Sequence, residues 1–355
     1  MTSFRNLKQT TGRKISLEGT DYLFFGGTAY LGLLTDPAYI DLFKKGIDIY
    51  GLNNGTSRSN NIQIGVYEEA EHHLANRFGF AAAAVLSSGF LAAQAAVMAL
   101  TENKYIVYAP GSHPALWRNT PPEQHGKNFK DWSERTVHDI NSSQNTDFAI
   151  ISNCIDNLTP SHLDFSFLDR ILPNKHITLI LDDSHGLGIL KSNQVSTNLT
   201  KLNLPNINVT VVASLAKGLG TDAGVVLGDS GNIALIKRHP IFNGASPSSP
   251  ASMYALIHAE GIYLRAFEKM HANTILFRES TKNLNLNHIE NFPVFSSKDP
   301  FLYKHLVQKN ILISSFPYPL SSSPLLNRIV VSALHEENDI RQLAEILSLE
   351  SSLIL

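Results

Sequence analysis

The sequence predicts an α/β fold in two parts: a large domain on a mostly parallel sheet and a smaller C-terminal α+β domain. Three observations predict it. Six short runs rich in Val, Ile, Leu and Ala fall between residues 83 and 227. Segments of helical period lie between them. From residue 250 a long helical stretch leads into spaced prolines, one strand and a closing helix.

In chain order, Asp36-Pro37 offers an N-cap and a first-turn proline for a helix through Phe43. Val66, Ala70, Leu74 and Phe78 recur on one helical face, and Gly79 supplies the C-cap. The expected strands are Ala83–Leu86, Tyr105–Tyr108, Phe148–Ser152, Ile177–Asp182, Val209–Ala213 and Val225–Leu227. They are continuous apolar runs rather than alternating ones, as where helices cover both faces of a sheet. Pro250 to about Asn283 reads as one long helix with only Gly261 to interrupt it. Pro293, Pro300, Pro317, Pro319 and Pro324 follow, then a strand at Arg328–Ser332 and a helix at Asp339–Leu347. The expected partition is an N-terminal arm (1–45), a large α/β domain (46–249), and a linking helix with a small α+β domain (250–355).

Composition excludes several function classes. The 355 residues are 43% hydrophobic and 17% charged, proportions of a folded globular chain. A net charge of −2 without charge runs argues against electrostatic capture of nucleic acid or an anionic membrane. Cys154 is the single cysteine, so neither an internal disulfide nor a cysteine-based metal cluster forms. Residues 1–25 lack the apolar stretch of a signal peptide, and Glu18 and Asp21 argue against a transit peptide. A cytoplasmic protein is expected.

Four stretches carry chemistry. In Ser214-Leu215-Ala216-Lys217-Gly218-Leu219-Gly220 a lysine follows an apolar strand. A lone lysine beside glycines is usually a solvated loop residue. Strand ends in open α/β sheets face the ligand crevice, however, and a desolvated lysine amine is suited to Schiff-base chemistry. No G-x-x-x-x-G-K-[ST] is present, so this is not a nucleotide-binding P-loop.

In Asp182-Asp183-Ser184-His185-Gly186 two carboxylates end another apolar strand. Asp182 could simply cap a turn, and His185 could be a satisfied core histidine. Asp-x-x-His is also a possible metal pair, but no second cluster at ligand spacing supports a site. A carboxylate at a strand end, ahead of a cofactor-binding lysine, has a better use. It can keep a pyridine nitrogen protonated, which makes pyridoxal phosphate (PLP) an electron sink. Ser87-Ser88-Gly89-Phe90 opens a helix through Leu100, where free N–H groups suit a phosphate; alone it reads as an ordinary cap. His113, in Gly111-Ser112-His113, follows the strand Tyr105–Tyr108 and could stack on a planar cofactor or be merely exposed.

In this order the four stretches resemble the α-oxoamine synthases, a family of fold-type I PLP enzymes. The resemblance runs from about Ile15 to Leu347. It implies that Lys217 carries PLP as a Schiff base and then acts as general acid–base. Asp182 pairs with the ring nitrogen, and His185 and Asn157 lie at the ring hydroxyl. His113 stacks on the ring, Ser88, Gly89 and Phe90 hold the phosphate, and Ser214 lies in the cofactor site. Arg328 matches the arginine that grips a substrate carboxylate. Gly55-Thr56-Ser57-Arg58 resembles the family's Gly-Ser-Arg turn. Three departures lie outside the cofactor core. Thr28 replaces an asparagine that helps hold the amino acid. Asn61-Ile62-Gln63 stands where a glycine is expected. Phe242-Asn243-Gly244 replaces Phe-Ser-Thr, with Ser246 the nearest hydroxyl.

The implied activity is condensation of an amino acid with an acyl thioester such as acyl-CoA, with loss of carbon dioxide. The implied assembly is a homodimer, with no nucleic acid, membrane or metal involved. Rival readings are a PLP-dependent aminotransferase on the same fold and a non-catalytic partner subunit. Lys217, Asp182, His185 and His113 together weigh against the second. No G-x-S-x-G elbow is present for a serine hydrolase.

Overall fold

A computed structural model describes residues 4–119, 121, 128–317 and 323–352. Pro319 lies outside the described residues. The chain forms two compact units: residues 41–156 with 162–260, and residues 1–40 with 157–161 and 261–355.

The larger unit is built on a six-stranded sheet. Its spatial order is Ala82–Leu86, Gly224–Gly228, Ile207–Ser214, His176–Asp182, Asp147–Asn153 and Tyr105–Tyr108. The last four are mutually parallel, whereas Gly224–Gly228 runs antiparallel to both its neighbours. Its reversal follows from the connection at 215–223, which is too short for the crossover that a parallel strand requires. All six strands are found where the apolar runs predict them, each matching or extending its run by one or two residues at an end. Ile151, Ile180, Val212 and Val226, from four adjacent strands, form the centre of the core. The alanine-rich helix Gly89–Leu100 packs on them through Ala92, Ala93 and Ala96, whose small side chains allow close approach to the sheet.

Helix Val66–Phe78 ends where its sequence says it should. Gly79 is left-handed (φ 74°), and its N–H caps the Ala75 and Asn76 carbonyls. On this helix Glu71 is buried and binds the Arg58 guanidinium (3.1 Å), the Lys237 ammonium (2.7 Å) and the Val85 N–H (3.1 Å). Arg58 also lies over the rings of Tyr67 and Phe242. The Gly-Ser-Arg turn is thus tied to the edge strand of the sheet, where a buried strand N–H outside the ladder needs a partner.

The smaller unit holds a five-stranded sheet in the order Lys14–Leu17, Thr20–Phe25, Ile311–Pro317, Leu325–Val330, Val294–Ser297. The N-terminal hairpin enters it through a parallel pairing of Leu23 with Ile311. Helix Glu337–Ser352 covers this sheet through Ile340, Leu343 and Leu347, against Phe25, Ile313 and Ile329. The closing strand begins and ends earlier than its apolar run suggests, at Leu325–Val330. The single long helix expected from Pro250 is two, Pro250–His258 and Glu260–Ser280. The break falls at Ala259, two residues before the glycine that the sequence singles out, so a non-helical ψ of 16° at Ala259 ends the first helix. The first-turn cap at Asp36 is present, with the Tyr39 N–H donating to Oδ1 (2.9 Å), and that helix runs on to Tyr50.

Candidate active site

In the larger unit the candidate residues gather at the C-terminal ends of the parallel strands, the usual ligand edge of such a sheet. Strand Ile207–Ser214 runs directly into a single helical turn, Leu215–Gly218, that carries Lys217. Hydrogen bonds from Leu215 N–H to the Ala223 carbonyl (2.9 Å) and from Thr221 N–H to the Leu215 carbonyl (3.3 Å) close this loop. Lys217 Nζ lies 3.1 Å from His185 Nε2. Two residues far apart in sequence are thereby brought to one point, at the ends of adjacent strands.

Asp182 ends strand His176–Asp182, and its Oδ1 accepts the Ser184 N–H (2.8 Å). Ser184 in turn accepts the Ser214 N–H on its hydroxyl (2.9 Å), so the aspartate motif and the lysine loop are stitched together. Asp183 points the other way and is fully buried, accepting the Ser196 N–H (2.8 Å) and the Ser196 hydroxyl. Burial pushes its carboxyl up to about 7. The buried Cys154 thiol beside it is likewise raised by burial, which keeps it protonated and inert.

The helix Gly89–Leu100 begins against this edge. Ser88 caps it, its hydroxyl accepting the Leu91 N–H (3.2 Å) and its carbonyl the Ala92 N–H (3.0 Å). The N–H groups of Gly89 and Phe90 are then the ones a phosphate can use at this N-terminus. Close approach demands glycine here, since a Cβ on Gly89 would stand 2.5 Å from the Ser214 Cβ. The Phe90 side chain is 56% exposed, so it is the backbone of Phe90 that suits an anion.

His113 follows strand Tyr105–Tyr108 in a loop held by several side chains. Asn153 Nδ2 donates to the Gly111 carbonyl (2.8 Å), and Asn153 Oδ1 accepts the His113 N–H (3.3 Å). Trp117 Nε1 donates to the Ser112 carbonyl (3.0 Å). His113 Nδ1 accepts the Ala115 N–H (3.2 Å), which leaves the neutral ring's proton on Nε2. The His113 ring keeps an open surface yet is crowded by protein atoms. That partial desolvation lowers its pKa, with Asp182 opposing and the Lys217 charge adding to the effect. His113 therefore shares one electrostatic neighbourhood with Asp182 and Lys217.

These residues fit PLP. An amine stands beside a histidine at the ends of adjacent strands, a second imidazole lies within electrostatic reach of both that amine and a strand-end carboxylate, and a helix N-terminus with two available N–H groups abuts the lysine loop. Among the described residues no cluster of His, Cys, Asp and Glu could hold a metal ion.

Arg328, Thr28 and Asn157 belong to the smaller unit. Arg328 lies on strand Leu325–Val330, opposite Ser314 and Ser296 on its neighbours. It is only 5% exposed, and its Nε and Nη2 have no hydrogen-bond partner. A guanidinium buried with one edge of its fork unused suits a carboxylate. Buried Tyr30 lies close enough for the Arg328 charge to act on its phenol, although burial pushes that phenol's pKa up overall. Thr28 is half-buried and its carbonyl accepts the Tyr30 N–H (2.9 Å). Asn157 lies in the turn after Asp156.

Sequence reasoning missed Asn153 and Gly224. The signal for Asn153 was available: it is the polar last residue of an apolar strand, the feature that singled out Asp182 next to it. Gly224 gave no such signal, because its role is to make room for a neighbouring strand's turn.

No protein-family model matches the chain. By sequence it is 25% identical over 345 residues to 8-amino-7-oxononanoate synthase of Vibrio cholerae, covering 91% of this chain and 86% of that protein. It is 24% identical over 251 residues to the Vibrio campbellii enzyme of the same name, spanning 69% of this chain but only 64% of that relative's length. Serine palmitoyltransferase of Sphingobacterium spiritivorum is 23% identical over 276 residues, 75% of this chain and 68% of that protein. Among solved structures, Sphingomonas wittichii serine palmitoyltransferase superposes with a TM-score of 0.81 at 15% identity, over 96% of this chain and 90% of that one. The 8-amino-7-oxononanoate synthase of Francisella tularensis gives 0.71 at 18% identity, over 94% and 98%. A serine palmitoyltransferase solved with PLP gives 0.80 at 15% identity, over 98% and 92%. By sequence and by fold, then, the chain is similar to 8-amino-7-oxononanoate synthases and serine palmitoyltransferases, and it shares their fold.

Proposed function

We propose that the protein is a PLP-dependent acyltransferase that condenses an amino acid with an acyl thioester, losing carbon dioxide. The observation that carries this reading is the placement of Lys217 Nζ 3.1 Å from His185, on a loop stitched to the Asp182 motif. When bound, PLP supplies a protonated pyridine ring that accepts the electron pair released at the substrate α-carbon. Lys217 would hold the cofactor through its amine, and the same amine would move the α-proton. Asp182 keeps the ring nitrogen protonated. His113 would pack against the ring and limit its contact with water. His185 and Asn157 hold the ring hydroxyl, Ser214 borders the site, and the Gly89 and Phe90 N–H groups with Ser88 hold the phosphate. Arg328 grips the amino acid's carboxylate through Nε and Nη2, and Thr28 lines the amino-acid site.

The net reaction joins the α-carbon to the acyl group, releases the thiol and loses the carboxylate as carbon dioxide. The test incubates the protein with PLP and a panel of amino acids, each with an acyl-CoA or with a keto acid. Thiol and carbon dioxide release that depends on the amino acid supports the reading. Amino transfer without thiol release contradicts it and points to an aminotransferase.

The same reading makes the protein a cytoplasmic homodimer. A single buried cysteine suits a reducing compartment, and the larger unit exposes Leu52, Ile62 and Phe90, apolar side chains that a partner would cover. No helix among the described residues is long and apolar enough to cross a membrane. Sedimentation at micromolar concentration checks the dimer, which a fully active monomer would rule out.

A further inference from the structure

We propose that Asn153 is a positioning residue: it sets the His113 loop, and through it the imidazole that covers the cofactor ring. The proposal rests on the reading of His113 given above.

Asn153 ends the strand Asp147–Asn153 and stands opposite Asp182 in the parallel register of the sheet. Its backbone is therefore fixed against the residue that serves the ring nitrogen. Its side chain reaches the other way, into the loop that carries His113. There the amide uses both its halves, donating to the Gly111 carbonyl (2.8 Å) and accepting the His113 N–H (3.3 Å). An uncharged amide can do both, whereas a carboxylate has no proton to donate.

Gly111 is left-handed (φ 71°), so the loop turns sharply as it enters the stretch that the amide then holds at both ends. Beyond His113 the chain is held independently. Gln94 Nε2 donates to the Ala115 and Trp117 carbonyls (2.7 and 2.9 Å), and the Ala115 N–H fixes His113 Nδ1. Asn153 supplies the restraint on the near side of the histidine, and Gln94 the restraint on the far side. A single strand end thus sets the spacing between the group at the ring nitrogen and the group over the ring face. Misplacing such a group by an ångström costs rate without abolishing binding.

The test compares Asn153→Ala, Asn153→Asp and His113→Asn by three readouts. These are the His113 ring titration in the apoprotein, the visible circular dichroism of bound PLP, and KM against kcat. The charges facing His113 are Asp182 and Lys217, and neither is altered by these substitutions. In Asn153→Ala the freed loop relieves the crowding of the imidazole by protein atoms, and its titration moves up toward about 6.5. The dichroism band changes in size, and kcat falls about tenfold while KM for the amino acid stays within about twofold. Asn153→Asp keeps the contact to the His113 N–H and loses the one to Gly111, so it falls between wild type and Asn153→Ala. A His113 titration and a dichroism band unchanged in Asn153→Ala overturn the proposal. A band unchanged in His113→Asn overturns the stacking reading itself, and the proposal with it.

Discussion

The backbone of Gly224 lies directly against the turn at Ser88: a Cβ on Gly224 would fall inside the Ser88 carbonyl and 2.6 Å from the Gly89 nitrogen. Gly224 pairs across the sheet with both Leu86 and Ser214. It is the spacer between the proposed phosphate turn and the strand that delivers Lys217.

Gly224→Ala therefore pushes the Ser88-Gly89 turn outward. Overpacking of this kind costs about 1–3 kcal/mol of stability. The displaced N–H groups should weaken PLP at least tenfold, read by titrating the cofactor's visible absorbance. Gly228→Ala is the control on the same strand, since the nearest atom to its added Cβ is a threonine hydroxyl at 3.4 Å. Equal PLP affinity in both variants would refute the spacer role.

Asp182→Asn removes a charge from the proposed ring-nitrogen partner while keeping the side chain's shape. Exchange of the substrate α-proton with solvent should fall by orders of magnitude, and PLP affinity much less, because the phosphate contacts remain. Deuterium exchange followed by NMR checks this; exchange at the wild-type rate would refute the assignment.

Arg328→Lys replaces a bidentate fork by a point charge. Amino-acid binding should weaken about tenfold or more, with the visible spectrum of the substrate-free protein unchanged. Binding to the amine that lacks the carboxylate should be unaffected. A variant that binds the amino acid as wild type does would place the carboxylate elsewhere.

His335 carries a pH dependence whose sign is set by its contacts. Its Nδ1 accepts the Ser332 N–H (2.9 Å), and its Nε2–H donates to the Phe24 carbonyl (3.0 Å), so the folded ring is neutral. It also stacks on Phe25, with ring centroids 3.9 Å apart. Burial pushes its pKa down to about 4, from the ordinary 6.5. Between those values the unfolded chain binds the extra proton, so stability is complete above pH 6.5 and lost as pH falls through 4. The loss is worth about 3 kcal/mol. Urea unfolding at pH 7 and pH 4.5 measures it. A His335 ring that titrates near 6.5 by NMR would contradict the assignment.

Much of this was legible in the sequence. The large unit's strands declare themselves because both faces are covered, and a continuous apolar run such as Ile177–Asp182 has few other uses. Lys217, Asp182, His185 and His113 stood out as polar residues at the ends of such runs. What stayed hidden depends on pairing across the chain. Nothing local in Thr20–Phe25 announces that Leu23 will pair with Ile311, so the N-terminal residues read as an arm rather than as strands of the smaller sheet. The helix break at Ala259 was equally invisible, since alanine is the best of helix formers and tertiary packing overrides its preference.

The central claim is that Lys217 carries the cofactor. Borohydride reduction of the PLP-loaded protein, followed by peptide mapping, tests it most directly. The expected result is loss of the visible absorbance and a single pyridoxyl adduct on Lys217, absent from Lys217→Ala. An adduct on another lysine, or a wild-type chain that binds no PLP, would contradict it.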